Sequence, residues 1–267
     1  MIQSDRPSSP PSPRQIDRLL DVMKRLRDPE SGCPWDVEQT PATIAPFAIE
    51  EAYEVMDAIA RDDREAIPDE LGDLLLQVVF QAQMAEEAGH FDFETVAGTI
   101  ADKLVRRHPH VFGDAALDDD TWEREKEAER QRKAEYGTLA GVALPLPALM
   151  RAAKLTRRAA RVGFDWDDAT GILDKVHEEI DELKVEIGGD RDRVEDELGD
   201  VLFTVASLAR KLDIDPEAAL RRSNDKFTRR FEAMEAMLAE KGQTMAEQDL
   251  PTMEALWQAA KKLPGMK

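Results

Sequence analysis

A single cysteine, Cys33, among 267 residues excludes an intrachain disulfide framework and any cysteine-rich zinc site. It suits a reducing cytosol, so a cytoplasmic protein is expected. Long apolar runs are missing too: none approaches the roughly 20 residues of a membrane span. The amino terminus lacks the apolar core of a signal peptide. Basic residues are scarce beside acidic ones, 36 against 56, for a net charge of −20. That balance argues against duplex nucleic acid and anionic membrane surfaces, where binding is driven by neutralising phosphate charge. It leaves room for small phosphorylated ligands, which bridging cations can join to acids. Alternating β-branched runs with hairpin turns are also absent.

What remains is almost entirely of helical period. Residues 1–14 carry Pro7, Pro10, Pro11 and Pro13 among serines, a tail too poor in apolar residues to order itself. Gly137, Gly141, Pro145 and Pro147 interrupt the pattern again at 137–147, which reads as a linker. Two modules follow, 15–136 and 148–267. Ile16, Leu19, Leu20, Met23 and Leu26 form an apolar stripe. Asp120 with Glu123 is a capping box before Trp122. Asp215 precedes a proline at a first helical position, and Leu250-Pro251 marks another start. The expected fold class is all-α.

The modules resemble each other. Glu70-Leu71-Gly72-Asp73 recurs 127 residues later as Glu197-Leu198-Gly199-Asp200, and Glu50-Glu51-x-x-Glu54 recurs 128 later as Glu178-Glu179-x-x-Glu182. Trp35-Asp36 answers Trp166-Asp167, Lys103 with Arg107 answers Lys226 with Arg230, and Trp122 has a loose counterpart in Trp257. Landmarks in fixed order with small drifts in spacing indicate a tandem duplication of one helical-bundle module.

The repeated landmarks are carboxylates. Glu179 and Glu182 share one helix face, as do Glu197 and Asp200. Gly188-Gly189 between them is a natural helix stop. Two antiparallel helices, rising about 1.5 Å per residue, therefore bring the pairs to similar heights. Glu51, Glu54, Glu70 and Asp73 repeat the arrangement about a turn near Asp62-Asp63. Four converging carboxylates repel one another and are costly to desolvate, so they call for cations. Oxygen donors without His or Cys select Mg²⁺, with Mn²⁺ as a substitute. Because Mg²⁺ is commonly held by a few carboxylates plus substrate phosphates, a nucleotide or diphosphate ligand follows. Acids on a solvated helix face would show the same spacing one pair at a time. Against that, Asp73 and Asp200 run into apolar segments. Gly72 and Gly199 also sit mid-helix, where Gly costs roughly 1 kcal/mol against Ala; close helix contact or ligand approach would explain them.

The pattern E-E-x-x-E…E-x-x-D with an upstream tryptophan resembles the MazG family of all-α nucleoside triphosphate pyrophosphohydrolases. Gly32-Cys33-Pro34-Trp35-Asp36, Arg107 to Gly113 and Val162-Gly163-Phe164-Asp165-Trp166 extend the resemblance over nearly the whole chain after the tail. It implies Mg²⁺-dependent hydrolysis of nucleoside triphosphates to monophosphates and pyrophosphate, with broad tolerance among ribo- and deoxynucleotides. A house-cleaning role in the nucleotide pool follows from that activity. It further implies a homodimer whose helices complete each other's sites, with the better documented site in the second module. Carried over by motif, Glu179, Glu182, Glu197 and Asp200 are the metal-binding and catalytic set, joined by Lys175 and Glu178. Lys226 and Arg230 meet the phosphates, and Trp257 lies against the base or sugar. Glu51, Glu54, Glu70 and Asp73 form a second metal set. Glu179 is the first choice for accepting the proton of an attacking water, ahead of Glu182.

The residues alone leave alternatives. Lys226 and Arg230 fit a solvated basic face or salt bridges equally well, and Trp257 fits a core or dimer anchor. Lys175 with Glu179 is also an ordinary ion pair at i,i+4. A di-iron bundle is rejected, since it calls for paired E-x-x-H motifs. Glu87-Ala88-Gly89-His90 stands alone and contains a glycine. His108 and His110 flank Pro109 and are expected in a loop. The non-enzyme alternative is a nucleotide-sensing or interaction module, above all in the first half.

Overall fold

Asp, Thr and Pro decide where most helices begin. In the first part of the chain, α1 (Gln15–Leu26), α2 (Pro34–Glu38), α3 (Pro41–Ala60), α4 (Ile67–Glu87), α5 (Phe93–Arg107) and α6 (Pro109–Phe112) follow in order. Thr40 closes a capping box with Thr43 ahead of Pro41, and Asp92 accepts the Thr95 N–H at 2.8 Å. In the second part come α7 (Ala148–Ala160), α8 (Ala169–Glu186), α9 (Arg191–Lys211), α10 (Pro216–Ala239) and α11 (Leu250–Ala260). Asp168, Asp190, Asp215 and Asp249 each accept a backbone N–H at the start of α8, α9, α10 and α11. These caps satisfy donors that a helix cannot satisfy itself. The structure, a computed structural model, describes residues 14–114 and 137–266, and no strand occurs among them. The fold class is all-α, as expected. The capping box at Asp120, Trp122, and nearly all of the proline tail lie outside the described residues. His110 is corrected: it belongs to the single turn of α6 rather than to a loop, because Pro109 occupies a first helical position.

The chain divides into two units, 1–126 and 127–267. In the first, α3 and α4 form a helical hairpin, and α1 and α5 pack on α4. Met23 of α1, Ile44 of α3 and Val79, Phe80 and Met84 of α4 make its core, which confirms the stripe read along α1. In the second unit, α8 and α9 repeat the hairpin, α7 packs on α9, and α10 packs on α7 and α11. Ile44 and Ile172, at 1% and 0% exposure, occupy matching places on α3 and α8. The hairpin turns also match: Asp62 has φ 51° in one and Gly188 φ 89° in the other. A left-handed residue ends each helix where the sequence places a break.

Two buried cations anchor the motif segments outside the quartets. The Arg27 guanidinium is bonded to Glu87 at 2.6 Å, donates to the Asp36 carbonyl, and lies over Phe80 at 5.4 Å. In the second unit, Arg210 pairs with Asp165 at 2.5 Å, and Lys211 reaches Asp165 at 3.3 Å and the Trp166 carbonyl at 2.5 Å. The Gly32–Asp36 and Val162–Trp166 segments therefore tie to the carboxyl-terminal ends of α4 and α9. Their work is structural. Arg210 is 9% exposed and Asp165 20%, so Asp165→Asn strands a largely buried cation and is expected to cost about 2–3 kcal/mol, read from the urea midpoint. Hydrogen bonds from Arg210 hold the Asp165 carboxyl below its ordinary range. A depressed carboxylate contributes stability above about pH 4 that is lost as pH falls through its lowered value. The gap between wild type and variant should accordingly close in acid.

Candidate metal and nucleotide site

The helical hairpins do what the spacing of the acids requires. Carboxylate oxygens of Glu179 on α8 and of Glu197 and Asp200 on α9 lie within 4.8 Å of one another, and so do those of Glu51, Glu70 and Asp73 on α3 and α4. Three members of each quartet converge. Glu54 and Glu182 are not in those triads, but each lies beside them, Glu54 against Glu51 and Glu182 against Glu179 and Glu197. One helical turn separates Glu51 from Glu54 and Glu179 from Glu182, and the fourth carboxyl leans on its neighbour. Glu182 feels the charges of Glu179 and Glu197, and Glu51 those of Asp73 and Glu54.

Burial and mutual repulsion act in the same direction here. Desolvation first, then Glu54 and Asp73, pushes the Glu51 carboxyl above its ordinary range. Desolvation with Glu54, Asp69 and Asp73 does the same to Glu70. Glu182 is raised by desolvation, against a lowering pull from Lys175. Glu179 is only 6% exposed, yet it has a cation: Lys175 Nζ lies 2.9 Å from its Oε1 and 2.8 Å from Glu178 Oε1. The hydrogen bonds that Lys175 donates to Glu178 and Glu179 raise its ammonium in turn. These are the surroundings of a hard-cation site: oxygen donors only, partly desolvated, with excess negative charge. Glu51 Oε2 is buried without a hydrogen-bond partner, as an oxygen reserved for a cation would be. The donor set fits Mg²⁺ or Mn²⁺.

Among the described residues, Gly72 and Gly199 do not mark close helix contact. A Cβ at either would meet nothing within 4 Å among the described residues. The space at these glycines, next to Asp73 and Asp200 in the chain, is left open by the described residues.

The predicted nucleotide-binding residues form a separate group on α10 and α11. Arg230 lies over the Trp257 ring at 5.4 Å, and its Nε and Nη2 donate to the Met266 carbonyl at 3.0 and 2.7 Å. Phe227 lies 5.4 Å from Trp257 and stacks on Phe231 at 6.0 Å. Trp257 is half-buried against the cluster of Met234, Leu238, Leu256 and Ala260, so the core reading of this residue is met in part. Lys226 is half-buried on the same helix. Phe227 was not singled out by sequence reasoning, although its spacing to Phe231 is the ordinary i,i+4 signal of an aromatic pair. Within the chain α10 meets α9 only at its edge, so the structure brings together Lys175 with Glu178 and Glu179, and Arg230 with Trp257, as two groups rather than one.

The description MazG nucleotide pyrophosphohydrolase domain matches residues 39–112 and again 168–234, which are the two carboxylate hairpins with the helix after each. The chain belongs to the MazG family. It is 52% identical over 256 residues to a nucleoside triphosphate pyrophosphohydrolase of Escherichia coli (strain K12), covering 93% of this chain and 97% of that one. It is 42% identical over 248 residues to the nucleoside triphosphate pyrophosphohydrolase/pyrophosphatase MazG of Thermotoga maritima, covering 92% and 95%. A nucleoside triphosphate pyrophosphohydrolase of Mycolicibacterium smegmatis is 33% identical over 170 residues, covering 61% and 52%. The protein is an enzyme of a hydrolase family built as a tandem duplication. Among the described residues no helix is long and apolar enough to cross a membrane.

Proposed function

We propose that the protein hydrolyses nucleoside triphosphates to nucleoside monophosphates and pyrophosphate, using Mg²⁺ held by Glu179, Glu182, Glu197 and Asp200. The observation that carries this reading is the convergence of Glu179, Glu197 and Asp200 within 4.8 Å on a family-matched hairpin. Bound there, Mg²⁺ or Mn²⁺ supplies charge neutralisation for phosphate oxygens and a lowered pKa for water. The chain's own residues do the rest. Glu179, or Glu182 beside it, accepts the water's proton. Lys175 fixes the carboxylates of Glu178 and Glu179. Lys226 grips the polyphosphate, and Arg230 meets it from the edge that Met266 leaves unused.

Trp257, with Phe227 beside it, offers a flat face to base or sugar. Stacking reads no base edge, which supports broad tolerance and a house-cleaning role. The protein works as a homodimer in the cytoplasm. Exposed Ile49, Tyr53, Met56, Leu71, Leu75 and Val78 on the first hairpin, and Leu198, Leu202 and Phe203 on α9, are apolar faces of the kind that mark interfaces. A two-fold partner would bring its own helices to the open side of each hairpin. The glycine faces beside Asp73 and Asp200 then border the ligand or the second chain. Pyrophosphate release from a panel of ribo- and deoxynucleotides, with and without Mg²⁺, tests the proposal. Release is expected only with Mg²⁺ or Mn²⁺ and from several bases; binding without any release would leave a nucleotide sensor instead.

A further inference from the structure

The two carboxylate clusters share their acids but not their counter-charge. Four residues before Glu179 stands Lys175, in contact with Glu178 and Glu179. Four residues before Glu51 stands Phe47, 37% exposed. The buried pair Ile44 and Ile172 fixes the register, so residues 47 and 175 hold the same place on their helices. No cation replaces the lysine among the described residues of the first hairpin. Arg61 is the base whose charge reaches Glu70, and it is already paired with Asp57 at 2.8 Å and Asp63 at 3.0 Å.

A second difference lies across the hairpin. Gln77, 8% exposed, follows Asp73 by one turn on the face that carries Glu70 and Asp73. Helical side chains lean toward the helix amino terminus, so its carboxamide lies toward Asp73. Its Oε1 is buried without a hydrogen-bond partner, as is Glu51 Oε2 on the facing helix. Two buried acceptors without donors leave uncompensated negative potential, which a cation or its bound water relieves. The matching residue in the second module is Thr204, whose hydroxyl is not among the unpartnered groups.

We propose that the first module binds a divalent cation on its own, without nucleotide, through Glu51, Glu70 and Asp73 with Gln77 as a neutral oxygen donor. In the second module, Lys175 occupies the charge of Glu179 until polyphosphate arrives and shares the metal. The inference rests on the metal reading of both clusters and adds that they load by different rules. The first is a standing metal site; the second takes metal with substrate.

Manganese titration of the full chain, followed by the electron paramagnetic resonance signal of free Mn²⁺, decides it. Without nucleotide, one site per chain should bind about tenfold or more tightly than the other, because a cation a few ångströms away opposes a second one. Glu179→Gln with Glu182→Gln should keep that tight site, and Glu51→Gln with Glu54→Gln should lose it. Phe47→Lys should weaken it about tenfold, with unchanged circular dichroism, and Gln77→Met should weaken it without touching the other site. The reciprocal Lys175→Met should tighten the second site. Equal affinities in the two modules, or a Phe47→Lys protein that folds and binds as wild type, overturn the inference while leaving the metal reading intact. No Mn²⁺ bound by either module, even with a non-hydrolysable triphosphate present, overturns both.

Discussion

Glu197→Gln and Asp200→Asn should each lower kcat by about a thousandfold or more while leaving helical content unchanged. Each substitution removes one negative charge and keeps the side-chain shape. The pair stands at the place where three carboxylates lie within 4.8 Å, so losing one charge removes a third of the convergent donor set. Both residues lie on α9, whose hairpin with α8 is held by packing and by the Asp190 cap rather than by the acids; circular dichroism should therefore not change. Chelation should reproduce the loss, and Mg²⁺ or Mn²⁺ should reverse it. A coupled pyrophosphate assay reads both. Full turnover in metal-free buffer would sink the mechanism.

The two modules should prove unequal. Glu179→Gln with Glu182→Gln should remove most turnover, whereas Glu51→Gln with Glu54→Gln should leave a substantial fraction. The reason lies in what accompanies each cluster. The second module joins its acids to Lys175 and carries Arg230, Trp257 and Phe227 as one stacked group. The first has Phe47 in place of the lysine, and Trp122, the loose counterpart of Trp257, lies outside the described residues. Steady-state kinetics on the two double variants compares them directly. A dead first-module variant beside an active second-module one would invert the assignment. Light scattering on the same preparations should give about twice the 30.0 kDa chain mass; the single-chain mass would mean that the exposed apolar faces find no second copy.

Much of this arrangement was legible because helices are periodic. Glu179 with Glu182 and Glu197 with Asp200 had to share faces, and the break at Gly188 had to reverse the chain. The caps at Asp215 and before Pro251 were readable because capping is local chemistry. Contacts between elements were not. The Met266 carbonyl beneath Arg230 joins residues that share no periodic pattern, and a backbone acceptor leaves no trace in composition. Gly72 and Gly199 invited a close-packing explanation, but which side of a helix faces empty space depends on tertiary placement.

Hydrolysis of ATP in ¹⁸O-labelled water, with the products separated and weighed by mass spectrometry, tests the central claim most directly. If the second-module carboxylates orient water toward the α-phosphorus, the label should appear in AMP, pyrophosphate should be unlabelled, and both should form in equal amounts only when Mg²⁺ is present. Label in pyrophosphate would place the attack on the β-phosphorus, and ADP with orthophosphate would contradict the account altogether.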